Sequence, residues 1–148
     1  MANYSLETQN YIDLLSKNYY YLDNNGGQNL LKFGDKHKDI IQSLCENQTT
    51  IVVKGRQIGS TTLLTAYIVE YCRKFPNTNV MVVAPNYMSE IDIIKRIGEH
   101  AENNHKVNNT IMTRSAYSII FSNGSEIHTL YNKPKKKIDV FFISEMAY

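Results

Sequence analysis

Residues 50–62 read T-I-V-V-K-G-R-Q-I-G-S-T-T. A β-branched run predicts a strand over Thr50–Lys54, and the apolar residues from Ser60 to Lys74 predict a helix. A strand, a glycine-containing loop and a helix in that order suit anion binding, because loop N–H groups and the helix N-terminus point the same way. The usual phosphate loop is G-x-x-x-x-G-K-[ST]. Here Gly59 fits the second glycine and Thr61 the hydroxyl that holds Mg²⁺. Lys54 falls at the place of the first glycine and Ser60 at that of the lysine. Phosphoryl transfer needs a cation beside the β- and γ-phosphates. Lys54, at the end of the strand, and Arg56, on the loop, are the candidates. The plainer reading makes both ordinary solvated charges.

A second group lies near the other end of the sequence. In V-F-F-I-S-E an apolar strand over Asp139–Ile143 delivers Glu145 to its carboxyl end, where ligands bind in open parallel sheets. A carboxylate there orients or deprotonates an attacking water; the bland alternative is a helix cap or surface residue. Ser144 stands where an aspartate normally helps to hold Mg²⁺, and a hydroxyl is a poorer partner for that hard cation. K-P-K-K-K at Lys133–Lys137 either meets nucleic-acid phosphates or is a solvated turn. His100, His105 and His128 lack metal-ligand spacing and read as surface or structural residues. Tyr19–Tyr21 read as helix packing rather than base stacking.

The elements that position these groups follow from periodicity. Residues 1–22 predict a short amphipathic helix, Asp23–Gly27 a loop, and Lys36–Glu46 a helix with Ile40, Ile41 and Leu44 on one face. Ser60–Lys74 is apolar nearly all round, which predicts burial on most sides, and Phe75-Pro76-Asn77 ends it. Asn79–Ala84 is a continuous apolar run, the pattern of a parallel strand covered on both faces. After Pro85-Asn86, Met88–Ala101 predicts an amphipathic helix with Ile91, Ile94, Ile97 and Ala101 on one stripe. Glu102–Asn109 reads as a polar loop. Ser118–Phe121 and Glu126–Leu130 flank Ser122-Asn123-Gly124-Ser125, a hairpin signal. The alternation predicts an α/β fold: a mainly parallel sheet with flanking helices and one inserted β-hairpin.

The 148 residues suffice for one core, and the net charge of +2 implies no global polyanion-binding field. Cys45 and Cys72 stand in no metal-ligand or redox spacing and predict buried thiols in a reducing compartment. No apolar run reaches the ~20 residues of a membrane span, and residues 1–8 lack the order of a signal peptide.

Taken together, these residues resemble the N-terminal ATPase domain of the large terminase subunit of tailed bacteriophages, a P-loop NTPase; the nearest form is the T4-like branch. Phe33–Leu44 resembles the adenine-recognition segment, with His37-Lys38-Asp39 where a glutamine usually precedes a basic residue. Residues 55–62 resemble the family's [SG]-R-Q-[LI]-G-K-T-T loop, 122–127 its D-N-G-S-x-I hairpin, and 141–148 its acidic [IVF]-x-I-D-E-x-A-[FY] motif. Lys135–Lys137 stand roughly where the family has an arginine-glycine pair. Some terminases carry their loop lysine at the front, in the position of Lys54. The resemblance implies a nucleotide site made of Lys54, Gly55, Arg56, Gln57, Gly59, Ser60, Thr61, Thr62 and His37, with ATP and Mg²⁺ as cofactors. It implies Glu145 as the catalytic carboxylate and Thr61 and Ser144 beside the metal. It further implies residues 1–30 as a helical extension and 31–148 as the ATPase-like domain, without the nuclease domain that follows in the family. Double-stranded phage DNA, a small terminase subunit and the portal or prohead are the implied partners, and the host cytoplasm the implied location. Two alternatives stand beside an active ATPase: a catalytically impaired binding or regulatory protein, and one half of a split terminase.

Overall fold

A computed structural model describes residues 4–22, 25, 28–30, 33–48, 50, 60–103, 111–132 and 134–144. The chain divides into two compact units, Met1–Tyr67 and Ile68–Tyr148.

In the first unit, α1 (Leu6–Asn18) is capped by Ser5, whose hydroxyl accepts the Thr8 N–H at 3.2 Å. It buries Thr8, Tyr11 and Leu15, one face of a 3.6-residue period. The helix stops before the tyrosine run expected to continue it: Tyr20–Leu22 forms β1, antiparallel to β2 (Gln28–Leu30). Successive aromatics fit a pleated strand better than a helix. The expected loop Asp23–Gly27 lies, except for Asn25, outside the described residues. α2 (Asp35–Glu46) buries Ile41 fully, with Ile40 and Leu44 half-buried beside it. Tyr4 ties α2 to the approach to α1, its hydroxyl donating to Asp39 Oδ1 at 3.0 Å. The expected strand after Thr50 lies outside the described residues. α3 (Ser60–Lys74), whose residues from Ile68 onward belong to the second unit, matches its predicted span, and from Leu63 to Cys72 all but Leu64 and Tyr71 are buried. The Tyr67 and Tyr11 rings lie 4.9 Å apart.

The second unit is organised by a five-stranded sheet in the order β4-β5-β6-β3-β7. β3 (Asn79–Val83) lies between β6 (Glu126–Thr129) and β7 (Val140–Ile143), parallel to both. Its Val80, Met81 and Val82 are at most 2% exposed, so both faces are covered as the continuous apolar run requires. β5 (Ser118–Phe121) pairs antiparallel with β6, and β4 (Ile111–Arg114) antiparallel with β5. The expected hairpin is therefore present. The described sheet is nevertheless mixed, with two parallel and two antiparallel pairings, rather than mainly parallel. The hairpin enters the sheet through β6, which bonds directly to β3, and β4 extends it by a strand that the short I-M-T-R segment does not signal.

α4 (Tyr87–Asn103) returns beside β3, β5 and β6. Asn86 opens it by accepting the Ser89 N–H at 2.9 Å. Its buried stripe is Glu90, Ile93, Ile94, Ile97 and Ala101; Ile91, expected in that stripe, is half-buried. Arg114 of β4 lies over Gly98, pairs with Glu102 and donates to the Lys95 carbonyl at 3.4 Å. A Cβ at Gly98 would stand 2.6 Å from the Arg114 Cζ. The glycine thus lets the edge strand's guanidinium lie against the helix.

Candidate functional site

The carboxyl ends of the parallel strands β3, β6 and β7 form one edge of the sheet, and of the candidate residues Ser144 lies there. Ser144 follows β7 directly. Its N–H donates to the Val83 carbonyl at 2.8 Å, which carries the parallel ladder one residue past the strand. The side chain is half-buried. The next residue, Glu145, lies outside the described residues.

At the same edge stands a buried carboxylate that sequence reasoning missed. Glu90, 4% exposed, accepts the Ala84 N–H at 3.4 Å and the Tyr131 N–H at 3.5 Å. It thereby joins the chain leaving β3 to the chain leaving β6. The usable signal was its spacing: Glu90 precedes Ile94, Ile97 and Ala101 by helical intervals, so it belongs to the buried stripe. Beside it the Tyr87 and Tyr131 rings lie 4.5 Å apart, and Asn132 Nδ2 donates to the Tyr87 hydroxyl at 3.1 Å. Asn132 is fixed by Thr129, whose Oγ1 accepts its backbone N–H at 3.3 Å.

Of the loop residues, Lys54, Gly55, Arg56, Gln57 and Gly59 lie outside the described residues. Ser60 and Thr61 belong to the first turn of α3, and Thr62 is half-buried with its carbonyl accepting Thr65 Oγ1 at 3.0 Å. His37 sits in the first turn of α2, where its Nδ1 accepts the Gly34 N–H at 3.2 Å. In the neutral ring this places the proton on Nε2. Phe33 meets the ring edge-on at 6.2 Å. Among the described residues no cluster of three His, Cys, Asp or Glu side chains could hold a metal.

The Ser122–Ser125 turn does structural work. Helix ends leave carbonyls without intrahelical partners, and this turn supplies them at the end of α3. Asn123 Nδ2 donates to the Cys72 carbonyl at 2.7 Å. Ser125 Oγ lies 3.0 Å from the Cys72 carbonyl and 2.9 Å from that of Phe75, and it accepts the Thr78 N–H at 3.2 Å. Gly124 has φ +88° and faces Asn77, itself at φ 58°. A side chain at Gly124 would strike Asn77. Cys72, behind this lock, is fully buried, and burial pushes its thiol up to about 12.

At the opposite, amino-terminal edge of the sheet, Glu126 pairs with Lys136 and lies 3.0 Å from His128 Nε2. The hydrogen bond from Lys136 holds its carboxyl below the usual glutamate range, against burial and with help from His128. The carboxylate's contribution to stability is fully present above the ordinary value of about 4.3 and is lost as pH falls through the lowered one. Lys136→Ala is expected to raise the Glu126 midpoint in a side-chain carbonyl NMR titration. An unmoved midpoint would show that Lys136 does not set it.

The sequence matches no protein-family model and no curated protein. A solved structure does match. The crystal structure of the HK97 bacteriophage large terminase superposes with a TM-score of 0.72 over 92% of this chain, at 13% identity. The fold is therefore terminase-like: an α/β architecture of a mixed five-stranded sheet with, among the described residues, four helices. The chain spans 30% of the length of that terminase. Among the described residues no helix is long and apolar enough to cross a membrane.

Proposed function

We propose that this chain is the ATP-binding part of a phage DNA-packaging motor, a P-loop NTPase-like domain closest in its motifs to the T4-like terminases. The observation that carries the reading is the order of four sequence blocks on a terminase-like fold. These are the His37 segment, the Gly55–Thr62 loop, the Asn123-Gly124-Ser125 turn and the Ser144-Glu145 strand end. In this reading the N–H groups of Gly55, Arg56, Gln57, Gly59 and Ser60 cradle the phosphates at the start of α3. Lys54 supplies the cation, Thr61 and Thr62 bind through their hydroxyls, and His37 meets the adenine edge. Thr61 and Ser144 are the protein oxygens beside Mg²⁺, which otherwise keeps water and phosphate ligands and balances phosphate charge. Glu145 orients the attacking water. Duplex phage DNA, a small terminase subunit and the portal are the corresponding partners, in the host cytoplasm.

Isothermal titration with ATP and Mg²⁺ tests this. The chain is expected to bind nucleotide, and Lys54→Ala to weaken binding by roughly ten- to a hundredfold through loss of a charge-assisted contact. No binding, or equal binding by the variant, would count against it. A second reading is a binding or regulatory piece that does not turn ATP over. It is supported by Ser60 and Ser144 standing where a lysine and an aspartate are usual. ATP turnover that Glu145→Gln abolishes would sink this second reading.

A further inference from the structure

We infer that the Lys135–Lys137 turn is a contact surface for the phosphate backbone of duplex nucleic acid, at the end of the sheet opposite Ser144. β3, β6 and β7 run parallel, so Asn79, Glu126 and Val140 mark one edge, and Val83, Thr129 and Ile143 the other. The turn lies at the first edge. Asp139 closes it, donating its N–H to the Asn79 carbonyl at 2.8 Å and accepting the Asn79 N–H on Oδ2 at 2.9 Å. Lys136 anchors it from the other side through Glu126.

This arrangement sorts the charges. Asp139 and Glu126, the two carboxylates against the turn, are both engaged, one with backbone and one with Lys136 and His128. Lys135 and Lys137 flank the anchored lysine, are exposed, and have no ion-pair partner among the described residues. A turn held in this way presents the Lys135 and Lys137 ammonium groups to solvent, with Glu126 paired to Lys136 and Asp139 still charged at the end of the turn. Duplex DNA carries one negative charge per about 1.7 Å of axis, and lysines that meet it release counterions without reading sequence. The inference deepens the packaging reading by naming where this unit would touch DNA.

Fluorescence anisotropy with a labelled duplex, in the absence of nucleotide, tests it. The wild-type chain is expected to bind with an affinity that falls as salt rises. Lys135→Ala/Lys137→Ala is expected to lose roughly tenfold in affinity at low salt and to flatten the log–log salt slope by about 2. Because both side chains are exposed, the circular dichroism melt should be unchanged. A wild-type affinity and slope in the double variant would overturn the proposal. So would a variant that still binds duplex normally but no longer binds poly-glutamate, which would assign the turn to an acidic protein. ATP titration of the same variant separates the two readings: retained nucleotide binding with lost DNA binding supports the surface on its own. Lys54→Ala that binds DNA normally but has lost ATP locates that failure in the nucleotide loop.

Discussion

Ile127→Ala is expected to lower the stability of the second unit by about 3 kcal/mol, the middle of the range for truncating a fully buried isoleucine. Ile127 is 0% exposed on β6, directly opposite Ile119 of β5 and Val80 of β3, both equally buried. With neighbours on each flank and α4 beside the strand, the removed carbons leave a cavity that no flexible group can fill. At roughly 2–4 °C per kcal/mol for a chain of this size, the melting temperature should fall by roughly 6–12 °C. Ile143→Ala is the control. That side chain is 71% exposed, so its loss should stay within about 0.5 kcal/mol. Equal destabilisation by the two substitutions would contradict the burial described for β6.

Ser125→Ala is expected to cost about 2 kcal/mol although it removes a single oxygen. The hydroxyl is fully buried between the Cys72 and Phe75 carbonyls and the Thr78 N–H. Alanine leaves the Thr78 N–H desolvated and unanswered, while the Cys72 and Phe75 carbonyls keep only Asn123 Nδ2 and Thr78 Oγ1. The cost of the unmet donor exceeds the modest net value of one hydrogen bond. Urea unfolding of Ser125→Ala beside Ser122→Ala, whose position is exposed, would measure it. A midpoint for Ser125→Ala that coincides with wild type would mean that water replaces the hydroxyl. The result also bears on what the Asn123-Gly124-Ser125 pattern is for. It reads as one of the terminase blocks, yet its side chains are spent holding the end of α3.

What was legible in the sequence follows from periodicity and turn chemistry. α3 and the β5–β6 hairpin could be placed because a long apolar run and an Asn-Gly between two short apolar runs are strong local signals. β3 could be placed as a strand covered on both faces. β4 could not, because an edge strand of four residues carries little alternation. β1 was hidden because the three residues follow the helical pattern of 6–18 without a break signal, and their strand preference is realised only by pairing with Gln28–Leu30. The mixed character of the sheet was likewise illegible: local pattern reveals that a hairpin forms, not which strand it joins. In the candidate site, Ser144 could be placed at the end of its strand, but Glu90 was not singled out: its spacing sets it on the buried stripe, while nothing local says that the N–H groups of Ala84 and Tyr131 will meet its carboxylate. The loop from Lys54 to Gly59 and Glu145 rest on motif and spacing, and the calorimetric test is aimed at them.

The central position of β3 has a consequence during synthesis. Its hydrogen-bonding neighbours come late: Thr78 meets Ser125 across 47 residues, and Asn79 meets Asp139 across 60. At a translation rate of roughly 5–20 residues per second, the strand waits roughly 3–12 s for its second partner. α4 follows at once and can shelter one face, but not the two open edges of N-V-M-V-V. Those edges are a template for pairing between nascent chains. Yield should therefore depend on how crowded the growing chains are and on how fast they are made. Slow, cool expression is expected to raise the soluble fraction more than a stabilising substitution in the finished sheet.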